Sequence, residues 1–184
     1  MRAIWTSKPP NRGICYKVGG LRVSPRGASF AGRRFPCALG RSGLTADKRE
    51  GDGSTPLGTH RFVGLLFRPD RVARTCLPNW ARPIGAFDRW SDDPRDSDYN
   101  HYLPNGPRPG YSSEALRRAD PLYDIVLLTD WNWPLAVKGA GSAIFVHCWR
   151  KPRHPTEGCV AFARGDLLWI VNRLQPADRL VVTR

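Results

Sequence analysis

One stretch of this chain carries a helical repeat, and it comes near the end. Leu167, Ile170, Val171 and Leu174 stand at i, i+3, i+4 and i+7, the spacing that lines one face of a helix. Asp166 falls in the first turn, where negative charge is favoured, and Pro176 is the expected stop. Upstream, the apolar residues come in short runs separated by turn residues, and the chain holds 18 Gly and 17 Pro. That pattern predicts a mainly β fold with one well-marked helix. With 184 residues and 41% apolar content, the chain is long enough for one domain with a real core, spanning residues 1–184. No internal repeat and no second domain are visible.

The strands are read from alternation and from short buried runs. Ile14, Tyr16 and Val18 alternate, Gly19-Gly20 turns, and Leu21 and Val23 alternate again, so 12–23 reads as a hairpin. Residues 34–39 and 59–67 read as further strands, joined by a polar, Gly-rich connection over 45–58. Residues 122–129 and 143–148 are apolar enough for buried central strands, and 180–183 closes the fold as a last strand. Residues 88–120 are long, irregular and rich in Asp, Pro, Asn and aromatics. Such a segment is either a lid or binding loop or a disordered excursion.

The formal net charge is +13, and residues 1–50 hold eleven basic and two acidic side chains. A basic surface fits an anionic partner: nucleic acid, acidic lipid or an anionic cell-wall polymer. It also serves plain solubility. No run approaches the ~20 apolar residues of a membrane span. The first ten residues lack the apolar core of a signal peptide. This leaves open a cytosolic protein, a removed or mis-assigned leader, or another export route. The five cysteines, at 15, 37, 76, 148 and 159, form no C-x-x-C pair, and an odd count leaves a free thiol in a monomer.

The chemistry concentrates in one place. Ser142-Ala-Ile-Phe-Val-His147-Cys148 ends an apolar run on a histidine, and Thr156-Glu157-Gly158-Cys159-Val160 puts a cysteine twelve residues after it. A thiol attacks a carbonyl when a base takes its proton and backbone donors receive the oxyanion. His147 is the candidate base and Cys159 the candidate nucleophile. Gly158 lets the backbone approach a substrate, with its amide and that of Cys159 facing the oxyanion. Each residue alone has a plainer reading, as a buried cysteine or a satisfied histidine. Together, on consecutive elements, they are more specific. His147, Cys148, His154 and Cys159 match no common zinc spacing, and adjacent residues of a strand face opposite ways. No metal and no cofactor are expected. Papain-like hydrolases place Cys long before His, the reverse of the order here.

These residues resemble the L,D-transpeptidase catalytic domain, the YkuD-like family. That family's signature is a His-Gly strand end followed by Ser-x-Gly-Cys-Val/Ile-Arg, with an early Thr-Pro-x-Gly segment. Here His147, Thr156-x-Gly158-Cys159-Val160 and Thr55-Pro56-Leu57-Gly58 carry the resemblance, which spans roughly residues 37–184. Cys148 stands where Gly usually follows the histidine, Thr156 replaces Ser, and Ala161 occupies the usual Arg position. Arg164 is the candidate substitute for that arginine. The loop between His147 and Cys159 is shorter than is typical.

The resemblance implies a β-sandwich or barrel-like domain with the helix packed on one side. It also implies acyl transfer on peptidoglycan stem peptides through a cysteinyl thioester. An amine acceptor gives a cross-link; water makes the same site a carboxypeptidase or amidase. The donor is the diaminopimelate or the L-Ala carbonyl. Tyr99, His101, Tyr102, Trp131, Trp133, Thr156 and Arg164 are the expected substrate-binding residues, although aromatics at strand ends also serve simply as packing. Carbapenem-type β-lactams are expected covalent ligands, the periplasm the expected compartment, and no nucleic-acid partner is expected. The alternative is a non-catalytic basic binder of an anionic polymer, cell wall or nucleic acid, on a degenerate transpeptidase scaffold.

Overall fold

The computed structural model describes residues 19–175 and 177–184. The first three strands, β1 (Gly20–Ser24), β2 (Gly27–Phe30) and β3 (Arg33–Phe35), form an antiparallel meander. Residues 12–18 of the expected hairpin lie outside the described residues. Gly20 belongs to β1, and the tight turn falls at Pro25-Arg26 instead, closed by Ser24 pairing with Gly27.

Two short strands, β4 (Leu44–Thr45) and β5 (Thr55–Pro56), pair within the polar connection. The long strand β6 (Gly58–Phe67) follows, with the two-residue β7 (Arg82–Pro83) alongside it. Residues 88–120 are not a disordered excursion. They form a three-stranded sheet of β8 (Arg89–Ser91), β9 (Tyr102–Leu103) and β10 (Ser113–Ala115) around buried Trp90, Tyr99, Leu103 and Leu116. The chain then re-enters the main sheet as β11 (Ile125–Thr129), β12 (Phe145–Cys148) and β13 (Val160–Phe162). It ends with α1 (Arg164–Val171) and β14 (Arg179–Val182).

The main sheet runs β13-β12-β11-β6-β14-β1-β2-β3. It curls until its ends meet: Ala38 and Ala161 exchange backbone hydrogen bonds of 2.8 and 2.9 Å, giving a nearly closed barrel. Every residue of β11, β12 and β13 is buried, so these strands are covered on both faces and read as continuous apolar runs. Leu65, Leu127, Val146, Val160 and Phe162 join Leu167, Ile170 and Val171 of α1 in one cluster. Leu66, Val126, Leu128 and Phe145 join Trp90, Leu116 and Tyr123 in a second. The helix ends at Val171, before Pro176, which lies outside the described residues; buried Leu174 still returns its N–H to Ile170. No helix among the described residues is long and apolar enough to cross a membrane.

Candidate active site

Strand β12 fixes the histidine. Its residues alternate between the two clusters: Val146 and Cys148 face the first and Phe145 the second. His147 shares the face of Phe145 and is registered between Val126 on β11 and Ala161 on β13. The imidazole is 4% exposed and stands edge-on to the Tyr123 ring, 5.3 Å between centroids. Its Nδ1 lies 2.7 Å from the carbonyl oxygen of Cys148. A carbonyl only accepts, so the ring proton sits on Nδ1 and Nε2 is left as an acceptor. Burial pushes the imidazole pKa from 6.5 down to about 4.

The cysteine is placed by the turn before β13. Gly158 has φ +139°, where a side chain is strained, and a Cβ there would meet the Ser54 carbonyl oxygen at 2.9 Å. Thr156 ties this turn together: its Oγ1 donates to the Cys159 carbonyl at 2.6 Å and accepts the Gly158 N–H at 3.2 Å. The Cys159 thiol donates to the Ala143 carbonyl at 3.1 Å and accepts the Phe145 N–H at 3.3 Å. Burial raises the thiol pKa from 9.0 to about 12. Both shifts favour an uncharged thiol and an uncharged imidazole.

Cys159 and His147 line the same cleft, of about 440 Å³. One wall comes from the three-stranded excursion and its return, through Asp92, Glu114, Arg118 and Tyr123. Arg118 lies over the Tyr123 ring at 5.2 Å and pairs with Glu114 at 3.1 Å and Asp120 at 2.8 Å. Burial raises the carboxyl pKa of Glu114. Lys48 also lines the cleft; its side chain is 3% exposed and ion-paired to Asp52. The cleft thus holds a thiol, an acceptor nitrogen and charges of both signs. Among the described residues, no cluster of His, Cys, Asp or Glu is arranged to hold a metal ion.

Residues 21–182 match the YkuD family, described as the L,D-transpeptidase catalytic domain. The chain belongs to that family. No curated protein matches the chain. Among solved structures it is similar to an L,D-transpeptidase from Mycobacterium smegmatis, at 12% identity and a TM-score of 0.42, over 90% of this chain and 58% of that one. The domain therefore spans little more than half of that structure's length.

Not every residue singled out from the sequence reaches the cleft. Thr156 lines it, but its hydroxyl is committed to the Cys159 turn. The Gly158 amide is likewise engaged by Thr156 rather than free for an oxyanion. Tyr99, His101, Tyr102, Trp131 and Trp133 do not line the cleft. Tyr99 is buried with its hydroxyl on Glu50, and His101 Nδ1 bonds the Tyr99 carbonyl at 2.8 Å. Tyr102 packs against the second cluster, and Trp131 gives its indole N–H to Ala140 at 3.1 Å. Arg164 sits outside as well, bonded to the Arg71 carbonyl and paired with Asp124 at 3.3 Å. Cys148, adjacent to His147, points into the first cluster, and burial raises its thiol pKa to about 12.

Sequence reasoning missed Lys48, Glu114, Arg118 and Tyr123. Lys48 carried a signal: it is one of five lysines in a chain with 24 arginines, and Asp52 stands four residues on. Asn100 stands between Tyr99 and His101. Its Oδ1 accepts N–H groups from Trp90 at 2.9 Å and Ala143 at 3.0 Å, and its Nδ2 donates to the carbonyls of Trp131 and Asn132. It joins the excursion to the residue whose carbonyl holds the Cys159 thiol.

Proposed function

We propose that the domain is a peptidoglycan L,D-transpeptidase that forms cross-links between stem peptides through a thioester on Cys159. The supporting observation is that the Cys159 thiol and His147 line one cleft, with Nδ1 of the imidazole occupied by the Cys148 carbonyl and Nε2 left to accept. In the acylation step Nε2 takes the thiol proton and sulfur bonds to the donor carbonyl carbon. The oxyanion meets the Cys159 amide. The intermediate collapses as the C–N bond breaks, and the leaving amine takes the proton from the imidazolium. An acceptor amine, that of a diaminopimelate side chain, then attacks the thioester. It forms the amide, loses its proton to His147 and restores the thiol. Water in place of the amine gives carboxypeptidase or amidase products.

Peptidoglycan substrate places the domain in the bacterial cell envelope, on the periplasmic side, with a role in wall biogenesis and cell shape. A carbapenem-type β-lactam carbonyl presents the same electrophile to the same thiol. The test is incubation of purified muropeptides with the protein, followed by mass spectrometry. New dimers that disappear in Cys159→Ala and His147→Ala are the expected result. Their masses assign the donor to the diaminopimelate or the L-Ala carbonyl. No new species from the folded wild type overturns the proposal in favour of a non-catalytic binder of an anionic polymer.

A further inference from the structure

The mechanism above develops negative charge first on the sulfur and then on the carbonyl oxygen, and a fixed cation nearby favours both. Burial has driven the thiol toward its neutral form, and the attacking species and the tetrahedral intermediate both carry negative charge. The arginine of the family pattern does not supply it. Position 161 is an alanine, fully buried and hydrogen-bonded to Ala38. Arg164 is engaged by Arg71 and Asp124 away from the cleft.

Lys48 is the buried cation on the nucleophile's side. Its side chain is held along its length. A Cβ on Gly141 would meet the Lys48 Cγ at 3.0 Å and Cε at 3.1 Å, so the lysine stem fills the space that Gly141 leaves. A Cβ on Gly158 would lie 3.5 Å from Nζ, which places the ammonium against the residue preceding the nucleophile. Nζ donates to Asp52 and, at 3.0 Å, to the Arg49 carbonyl. Asp52 is itself fixed by the N–H groups of Arg49 and Ser54, each at 2.8 Å. An ammonium has three donors, and this leaves one for the cleft that Lys48 lines. The cleft also holds the ionisable groups Glu50, Asp92, Glu114, Arg118, Tyr123, His147, Arg150, His154 and Glu157. The charge of Lys48 favours the Cys159 thiolate and that of Glu114 opposes it.

We infer that the Lys48 ammonium is a catalytic group of this domain, stabilising the Cys159 thiolate and then the oxyanion formed on it. The inference rests on the thiol mechanism proposed above and adds to it the residue that supplies the charge. The buried ion pair with Asp52 is not only a clasp for the loop. It orients a cation whose remaining donor meets the reacting oxygen, and a fixed cation in a desolvated cleft acts without reorganising at the moment of reaction.

The test is the pH profile of Cys159 alkylation by iodoacetamide, read by intact mass, in the wild type, Lys48→Met and Lys48→Arg. Lys48→Met keeps the stem and removes the charge. It is expected to alkylate about tenfold more slowly at neutral pH, with its profile displaced to higher pH. Lys48→Arg is expected to keep the wild-type profile, which a purely packing role would not require. If Lys48→Met does not fold, Lys48→Gln carries the same comparison. A charge-free variant that alkylates on the wild-type profile overturns the inference. Muropeptide turnover is measured in parallel. Its absence in the wild type overturns the transpeptidase reading, while the alkylation profile still decides the role of Lys48.

Discussion

The Nδ1 atom of His147 lies 2.7 Å from the carbonyl oxygen of Cys148, its neighbour on β12. A strand residue thus anchors its own ring to the backbone beside it, and the free nitrogen is the one that accepts. Burial holds the imidazole neutral down to about pH 4. The acid limb of turnover that reports His147 is therefore expected near pH 4 rather than 6.5, since the base works only while unprotonated. Replacing His147 with Gln should cost about 10²–10⁴-fold in turnover. Rate profiles from pH 3.5 to 8 check both; an acid limb centred at 6.5 contradicts the buried, neutral base.

The same shift links stability to pH. The unfolded chain binds a proton at His147 near pH 6.5 that the folded protein refuses until about 4. Between these values the unfolded state holds more protons, so stability falls as pH falls. The loss is about 3 kcal/mol across that window. Burial lowers the pKa of His60 as well, which acts in the same direction. Urea unfolding at pH 7 and pH 4.5 measures the sum, and His147→Gln should flatten the His147 part.

Thr156 is expected to act by positioning. Its hydroxyl joins the Gly158 amide to the Cys159 carbonyl in one turn. Thr156→Val removes both bonds at nearly constant shape, at an expected cost of about 1–3 kcal/mol. With the nucleophile's backbone loosened, turnover should fall by up to about 100-fold. Thr156→Ser should keep most of both. Equal turnover in the Val and wild-type proteins would remove the hydroxyl from the account.

How much of this is readable without coordinates depends on the range of the forces involved. The buried strands β11 and β12 and the helical face are local patterns and emerge from the sequence, but shorter than read: β11 starts at Ile125, β12 at Phe145, and the helix ends at Val171, before Leu174. The opposite facing of His147 and Cys148 follows from strand alternation alone. The cleft's far wall does not. Glu114, Arg118 and Tyr123 reach it only because residues 88–120 fold into a separate sheet on the second cluster, and no local periodicity announces that. The aromatics Tyr99, Tyr102 and Trp131 mislead for a related reason. Large rings with a polar tip suit a binding cleft and a buried joint equally well, and here Tyr99 and Trp131 satisfy their polar tips within the protein.

The free cysteines should separate cleanly by burial and place. Cys159→Ser should lose turnover, because a buried hydroxyl is far less acidic than a thiol. Cys148→Ala leaves a small void in the first cluster, worth about 1 kcal/mol, and should retain turnover. Exposed Cys76 and partly buried Cys37 should be replaceable by Ser without loss of rate. Cross-linking assays and thermal melts on the four single variants measure the two effects independently. A rate loss confined to Cys148→Ala would move the nucleophile to the wrong side of β12.

Asn100 ties the excursion to Ala143, whose carbonyl holds the Cys159 thiol, and its replacement should be felt in both. The residue is 1% exposed, sits at φ 58°, and makes four side-chain bonds, to Trp90, Ala143, Trp131 and Asn132. Asn100→Ala removes the partner of one buried and three partly buried polar groups, at about 1–3 kcal/mol for the buried one, and adds left-handed strain. Asn100→Gly removes the same bonds but tolerates the backbone angle, so it should be more stable than Asn100→Ala by about 1 kcal/mol. Asn100→Asp keeps the acceptor for Trp90 and Ala143 yet turns an anion toward two carbonyls, so near-isosteric shape should not rescue it. In Asn100→Ala and Asn100→Gly, the Ala143 backbone that holds the Cys159 thiol loses its anchor, and alkylation of Cys159 should no longer follow the wild-type profile. Chemical denaturation and iodoacetamide kinetics on the three variants provide the check. Unchanged thiol reactivity in a destabilised Asn100→Gly would confine the residue to joining the two sheets, with no influence on the nucleophile.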